Sequence, residues 1–373
     1  MQLTCLKTAD YSAFCQALKS FEQLPAVTSV LIFLPEGNQW PTSDLDALFQ
    51  GFTKPIIGGI FPQIISQHQP QTTGAILVGL SVPISIHTLP MGTDQESQIA
   101  EALEQDFPEQ YNNTTLLVFT DGLAAGCAVL IDQLFNHFGL AINFIGGGAG
   151  SLSLQQSPCV ITNAGLQQDI AIVGMLNSSG GVGVAHGWEP ITEAYRVTES
   201  LGNTIISLNW QPAFEVYQDV IKQHGQLSIT EENFFDVAKA YPFGITKVNA
   251  ELVVRDPIIT RDNQLICVGD VPEGSFVHIL TGDLASLPAA AAEAKSRALA
   301  SLPEQSPIQW QLVIDCISRV LFMEQHFERE LASVSIEQVP MVGALTLGEI
   351  ANNGQDYLEF YNKTAVVALF PEH

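Results

Sequence analysis

Apolar and polar positions along the chain fall into three similar blocks. Each has an apolar run, a stretch with helical spacing, a second apolar run that carries glycine, and a third apolar run. The clearest block opens with LLVFTDG at Leu116 and continues through the helical stretch Leu123 to Phe138. It then enters INFIGGGAGS and returns through DIAIVGML near Ile170. An earlier block reads VLIFLP from Val30, a polar helical stretch, PIIGGIFPQII from Pro55 and GAILVGL from Gly74. A later one reads WQLVIDC from Trp310, a long helix, VPMVGALTLGEI from Val339 and KTAVVALF from Lys363. From the end of the first run to the glycine the gap is 23 residues (Pro35 to Gly58), 25 (Asp121 to Gly146) and 28 (Asp315 to Gly343). The gaps vary but the order of periods does not, so the three units are expected to superpose with these glycines at like positions.

The stretches between the blocks add detail. Residues 8 to 22 predict an amphipathic helix capped by Thr8 or Asp10. NSSGG at 177–181 predicts a turn that pairs IAIVGML with GVGVAHGW as an antiparallel hairpin. NWQPAFEVYQDVIKQHG predicts a helix with Pro212 in its first turn and Gly225 just past its end. A boundary near Gly225 then gives an α/β fold of two packed domains, 1–225 and 226–373. Both are built from strand-helix-strand-strand units with mixed sheets.

Composition narrows the class. Apolar residues make up 46% and charged residues 14% of 373, which supports a large core and argues against disorder. A net charge of −25 repels phosphate backbones and anionic lipid, so nucleic acid and membrane surfaces are poor partners. The six cysteines form no CxxC, zinc or haem-attachment pattern and read as reduced thiols. No signal-peptide layout and no apolar run long enough for a membrane span occur, so the expectation is a soluble, cytoplasmic protein without membrane insertion.

Candidate chemistry is scattered. GGGAGS at 146–151 lacks the last glycine of a dinucleotide fingerprint and opens no helix, so close backbone approach explains it better than phosphate binding. His186 ends an apolar strand beside Gly187 and Trp188, where it can ligate a metal or haem, bond a polar ligand, or serve the fold alone. His278 and His87, in strands, stand in reserve. Arg255 lies in an apolar strand and needs a carboxylate, from the protein or from a ligand. In DCISR, Asp315 can cap a helix, Cys316 sits at its positive end and Arg319 follows one turn along. Glu349 offers a partner for Arg319 or Arg255. His326, ten residues beyond Cys316 on the same expected helix, is too far to activate the thiol, so no catalytic set emerges.

With FTDG at 119–122, FIGGGAGS at 144–151, AHGWEP at 185–190, RVTES at 196–200 and NW-x-PAFEVY at 209–217, the first half resembles the FIST family. In the second half VVRDP, VGDVPEG, DCISR, LTLGEIAN and NKTAVV continue the resemblance in the family's order. The resemblance implies an intracellular signal-input protein with FIST-N and FIST-C parts that binds a small ligand such as an amino acid. Stand-alone members of this layout are known as haem proteins that sense nitric oxide and regulate a histidine kinase or cyclic-di-GMP enzyme. The resemblance therefore implies haem as a cofactor but supplies no ligand by motif, and His186 is the candidate from its place at the strand end. A sensor of small carboxylates without haem, and an enzyme acting on a small anionic metabolite, remain the alternatives.

Overall fold

The structure, a computed structural model, describes residues 1–107, 111, 113–178, 180–247, 251–302, 306–352 and 357–372. Three copies of one unit build its body. The first runs β1 (Gln2–Leu6), α1 (Tyr11–Glu22), β2 (Ser29–Pro35), α2 (Thr42–Gln50), β3 (Ile56–Phe61), a short hairpin β4 (Gln63–Ser66) and β5 (Gln69–Gln71), then β6 (Ala75–Leu80). The second repeats that order as β7 (Ile84–Pro90), α3 (Glu96–Asp106), β8 (Thr115–Asp121), α4 (Cys127–Phe138), β9 (Asn143–Ala149), β10 (Val160–Thr162), β11 (Gly165–Gln167) and β12 (Ile170–Leu176).

The third unit opens with β13 (Gly181–Ala185) and is then interrupted by a lobe of residues 186–285. The lobe holds β14 (Glu189–Pro190), β15 (Tyr195–Leu201), β16 (Thr204–Leu208), β17 (Gln211–Pro212), α5 (Ala213–Gly225), α6 (Phe234–Ala238), β18 (Phe243–Ile245), β19 (Val253–Arg261), β20 (Gln264–Val268) and β21 (Phe276–Thr281). The unit resumes with α7 (Ser286–Ala300), β22 (Ile308–Cys316), α8 (Ile317–Met323), α9 (Glu328–Val334), β23 (Met341–Thr346), the hairpin β24 (Glu349–Ala351) and β25 (Glu359–Tyr361), and β26 (Ala365–Pro371).

The expected superposition of the glycines is what the strand registers give. Gly58 lies beside Ile32, Gly146 beside Val118 and Gly343 beside Val313, each in a parallel pair. The same three partners face Leu77, Val173 and Val367 on the antiparallel side. A Cβ at Gly58, Gly146 or Gly343 would stand 1.8, 1.7 or 1.8 Å from the carbonyl oxygen of that parallel partner, so only glycine fits. The other glycines of the GGG run are equally hemmed in. A Cβ at Gly147 would meet Gly348 O at 2.7 Å, and one at Gly148 would meet Leu347 O at 2.5 Å. Close approach of backbone explains this run without a phosphate.

Each unit lends its hairpin to a neighbour, and the exchange closes in a circle. The β4–β5 hairpin of the first unit adds to β23 of the third, β10–β11 of the second adds to β3 of the first, and β24–β25 of the third adds to β9 of the second. Across these joins Ile65, Ile161 and Ile350 face Gly343, Gly58 and Gly146. Alternate residues of all three sheets, among them Leu31, Phe33, Leu117, Phe119, Leu312 and Ile314, meet in one central core. The opposite face of each sheet is covered by that unit's own helices. Strands buried on both faces explain the continuous apolar runs.

Two expectations need correction. Strands β12 and β13 do not pair: β12 lies between β7 and β8, whereas β13 pairs with β26 in another sheet. Both strands are buried on both faces, so their pattern does not specify a partner. Ser179, inside the expected turn, lies outside the described residues. Helix α5 also ends one residue late. Gly225 is its last residue, packed so that a Cβ would meet Tyr241 Oη at 2.6 Å, and Gln226 takes the left-handed position with φ 54°.

In the lobe, β21, β15, β16, β20, β19 and β18 form a closed ring, because β18 also pairs with β21. Its interior residues pack with α5 and α6 around Tyr217. The expected boundary near Gly225 therefore falls inside the stretch from Val197 to Ile279 whose side chains, from both sides of it, make one apolar cluster. Among the described residues no helix is long and apolar enough to cross a membrane.

Candidate functional site

The departures from threefold order meet at one end of the body. The lobe leaves from β13 at Ala185, which pairs with Ala365, and Ala365 in turn faces Asp315 near the C-terminal end of β22. The third unit is also the one that carries charge there. In strand register, Asp315 stands where the other units have Leu34 and Thr120, and Glu349 stands where they have Ile64 and Val160. Ligands of open α/β sheets favour the C-terminal ends of parallel strands.

Asp315, Cys316, Arg319 and Glu349 do come together here. Arg319 is fully buried, and all its N–H groups have acceptors. Nε donates to Glu330 Oε1 at 2.7 Å and NH2 to Glu330 Oε2 at 2.6 Å. NH1 donates to the carbonyls of His186 and Lys363, and NH2 also to that of Leu287. Asp315 Oδ1 lies 3.3 Å from Arg319 Nε. Glu349 is not the partner of either arginine. It accepts from Thr346 Oγ1 at 3.0 Å and from the Thr364 amide at 3.3 Å, and it bonds the Cys316 thiol. Arg319 is thus a saturated clamp joining β22, α7, α9 and the start of β26, with no donor left for a ligand.

The expected continuous helix after β22 hides that arrangement. The chain breaks at Glu324, with φ 51°, so α9 folds back and Glu330 returns to Arg319. Sequence reasoning also missed Asp256, Ser318 and Lys363. Ser318 Oγ donates to Asp256 Oδ2 at 2.5 Å, and Lys363 Nζ lies 3.1 Å from Asp256 Oδ1, out of line for a hydrogen bond. Lys363 also donates to Lys239 O at 2.9 Å and stands 5.2 Å from the centre of the Trp188 ring. Two signals pointed there: an acid directly after Arg255 in an apolar strand, and a lysine opening the run KTAVVALF.

Four carboxyls (Asp256, Asp315, Glu330, Glu349) share this interior with two cations (Arg319, Lys363), all at most 1% exposed. The excess acid must hold a proton. Burial raises Glu349 to about 8, against the bonds from Thr346 and Cys316. Burial, then repulsion from Glu330, holds Asp315 well above the usual carboxylate range, and the pair shares a hydrogen bond. The Cys316 thiol is pushed well above its ordinary value by burial and then by Glu349, the reverse of what a nucleophile needs.

Arg255 stands apart, on the lobe, and among the described residues no ion pair joins it to this cluster. Its Nε donates to Asp270 O at 2.9 Å, and NH1 donates to Val254 O at 3.0 Å and Phe360 O at 2.8 Å. Its NH2 group has no acceptor among the described residues. Burial lowers its pKa, with Glu359 the largest opposing charge. A buried guanidinium with a free nitrogen at the seam of lobe and body can receive one oxygen of a carboxylate or phosphate.

His186 is buried at 6% exposure. Its Nδ1 accepts the Trp188 backbone N–H at 2.9 Å, which leaves the neutral ring's proton on Nε2, 3.8 Å from Glu251. Burial, opposed by Glu251, lowers its pKa to about 4, so the ring is neutral. A haem ligand bonding through Nε2 needs the opposite tautomer, so this arrangement does not fit an axial histidine. A small cavity lies at the other end of the body, lined by Leu80, Leu176, Trp310 and Phe370 among others, and no histidine lines it.

Comparison with known proteins agrees with the sequence. Residues 28–211 match the FIST N domain and residues 213–352 match the FIST C domain. The chain belongs to the FIST family. FIST domains are signal-transduction sensor domains that bind small ligands. The two matched regions of this FIST protein meet inside the lobe, just before α5. An uncharacterized protein of Methanocaldococcus jannaschii, MJ1623, is 25% identical over 107 residues, which cover 26% of this chain and 21% of that protein.

Proposed function

We propose that the chain is a signal-input protein that takes a small carboxylate, such as an amino acid, on Arg255 and passes the change to a partner signalling enzyme. A histidine kinase or a cyclic-di-GMP enzyme is the partner class. The observation that carries this reading is the NH2 group of Arg255, which meets no acceptor among the described residues and reaches solvent on an otherwise saturated guanidinium. Arg319, the other candidate anchor, has no donor to give. Arg255 also holds Phe360 O, in the hairpin that the third unit lends to the second, so a ligand there would act on a junction of lobe and body. Thermal shift against a panel of amino acids and small dicarboxylates tests the idea. Arg255→Met should abolish a ligand-induced rise in melting temperature and Arg255→Lys should weaken it. An undiminished shift in Arg255→Met would overturn the reading.

Haem with nitric oxide as the signal is the second reading, and one observation keeps it in view. His278 Nδ1 faces Thr192 O at 2.9 Å, so Nδ1 carries the proton and Nε2, which has no hydrogen bond among the described residues, keeps its lone pair. That is the tautomer of an axial ligand, whereas His87 has both nitrogens engaged, by Ser85 and Asp106. Protein expressed with ample haem should then show a Soret band that His278→Ala loses and His186→Ala keeps. The absence of a Soret band in the wild type would remove this reading.

A further inference from the structure

We propose that the outer wall of the lobe's barrel, from Leu201 and Ile259 at one end of β15 to the Trp210 turn at its other end, is a docking face for a partner segment with an apolar ridge flanked by lysine or arginine. It is argued on its own chemistry and its test involves no ligand at Arg255, so it can fail separately from the function proposed above. The strand registers set Leu201 beside Thr204, Thr204 beside Ile266 and Ile266 beside Ile259, one row across four strands. The neighbouring residues Ile205 and Leu265 point into the barrel and are fully buried, so this row points out. Leu201 is 77% exposed and Ile259 38%. Elsewhere the same wall is covered, since Val254 and Leu280 pack into the core of the third unit. The covering stops short of this row.

Near the start of β15, Phe276 stands opposite Arg196 and is 51% exposed, and Trp210 is 80% exposed. Asn209 and Trp210 both have left-handed backbone, φ 48° and 67°. Such a turn favours glycine at its second position, and a bulky residue there is strained. The turn is nonetheless pinned: Asn209 N–H donates to Arg196 O at 2.9 Å, Arg196 N–H to Asn209 Oδ1 at 2.9 Å, and Trp210 N–H to Thr198 Oγ1 at 3.0 Å. An indole held in solvent at the cost of strain does nothing for the core. Aromatic anchors of this kind carry the energy of protein interfaces.

Charge decides the partner's chemistry. Residues 186–285 contain fourteen acidic and six basic residues, of which Asp256 and Arg255 are buried, leaving thirteen acids against five bases. Around the row itself Glu199, Asp262 and Asp270 outnumber Arg196 and Arg261, and Asp270 Oδ1 lies 3.7 Å from where a Cβ on Gly202 would stand. Such a field steers a basic segment and repels an acidic one.

The test uses the full chain and two synthetic strand peptides, one alternating leucine with lysine and one alternating leucine with glutamate. Anisotropy of a dye-labelled peptide follows binding, tryptophan emission follows the surroundings of Trp210, and light scattering gives the oligomeric state. The lysine peptide should bind, shift the emission to the blue and lose about tenfold in affinity at high salt, and the glutamate peptide should not bind. Leu201→Ser with Ile259→Ser, and separately Trp210→Ser, should each weaken binding about tenfold, while Leu299→Ser on α7, also exposed, should not. Equal binding of both peptides, or binding that ignores these substitutions, would overturn the proposal. A dimer that dissolves on Leu201→Ser would overturn it too, since the occupant would then be a second copy.

Discussion

Arg319 holds both carboxylate oxygens of Glu330, at 2.7 and 2.6 Å, and neither side chain has any exposed surface. The pair joins two elements that strand and helix propensity alone would have sent apart. Removing one partner leaves the other charged and buried, which costs about 3–5 kcal/mol. Arg319→Met should therefore lower unfolding stability by about that much in denaturant titration. Removing the exposed contact of Lys239 with Glu324 by Glu324→Ala should cost less than about 1 kcal/mol. Equal losses would mean the buried pair contributes nothing special.

Glu349 sets an expected pH dependence. Its folded-state pKa, about 8, lies above the unfolded value, so the folded chain binds the extra proton. That contribution is fully present below the unfolded carboxylate pKa and fades as pH rises through about 8; Asp315 acts in the same direction. His186 acts oppositely. Its pKa, depressed to about 4, gives stability that is lost as pH falls below about 6.5. Between about pH 6.5 and 8 the carboxyls act alone, and stability should fall with a slope on the order of 1 kcal/mol per pH unit. Glu349→Gln should reduce that slope and leave the share that Asp315 contributes. Urea midpoints across the window check it, and a slope unchanged in Glu349→Gln assigns the proton elsewhere.

The repeated unit was legible because its strands are buried on both faces and its glycines sit under a neighbour's carbonyl. Both constraints write themselves into every copy, as at Gly58, Gly146 and Gly343. The hairpin exchange was not legible. Ile65, Ile161 and Ile350 belong to strands of three or four residues, too short for any period to name a partner. The meeting of Asp315, Cys316, Arg319 and Glu349 followed from the need of buried charge for partners. Which carboxylate Arg319 would take depended on the break at Glu324, where glutamate occupies a left-handed position that favours glycine. Arg255 looked like half of an ion pair, and backbone carbonyls took that role instead.

The three glycines make a matched set of tests. At each, a Cβ would fall within 2 Å of a carbonyl oxygen in the middle of a sheet, and backbone cannot give way as a side-chain tip can. Gly58→Ala, Gly146→Ala and Gly343→Ala should each cost at least about 3 kcal/mol or prevent folding. Gly139→Ala meets nothing within 4 Å and suffers only its backbone conformation, φ 55° and ψ −134°, so it should cost about 1–3 kcal/mol. A mild effect at any of the three would break the equivalence of the units.

The circular exchange predicts how the body unfolds. Each sheet is completed by a hairpin from another unit, and the central core takes residues from all three, so no unit holds a complete set of partners. Residues 1–185 would leave β3 with its borrowed hairpin but β9 without β24, and half of the central core facing water. That fragment should lack cooperative unfolding. The lobe differs, because its ring of strands closes on itself around its own apolar cluster. Residues 186–285, with the body-facing Val254 and Leu280 changed to serine for solubility, should fold alone and melt cooperatively. Native-state hydrogen exchange on the intact chain should show one opening energy for β2, β8 and β22 and a separate one for β16 and β20. Distinct opening energies among β2, β8 and β22 would mean the three units are held together less tightly than their exchanged strands require.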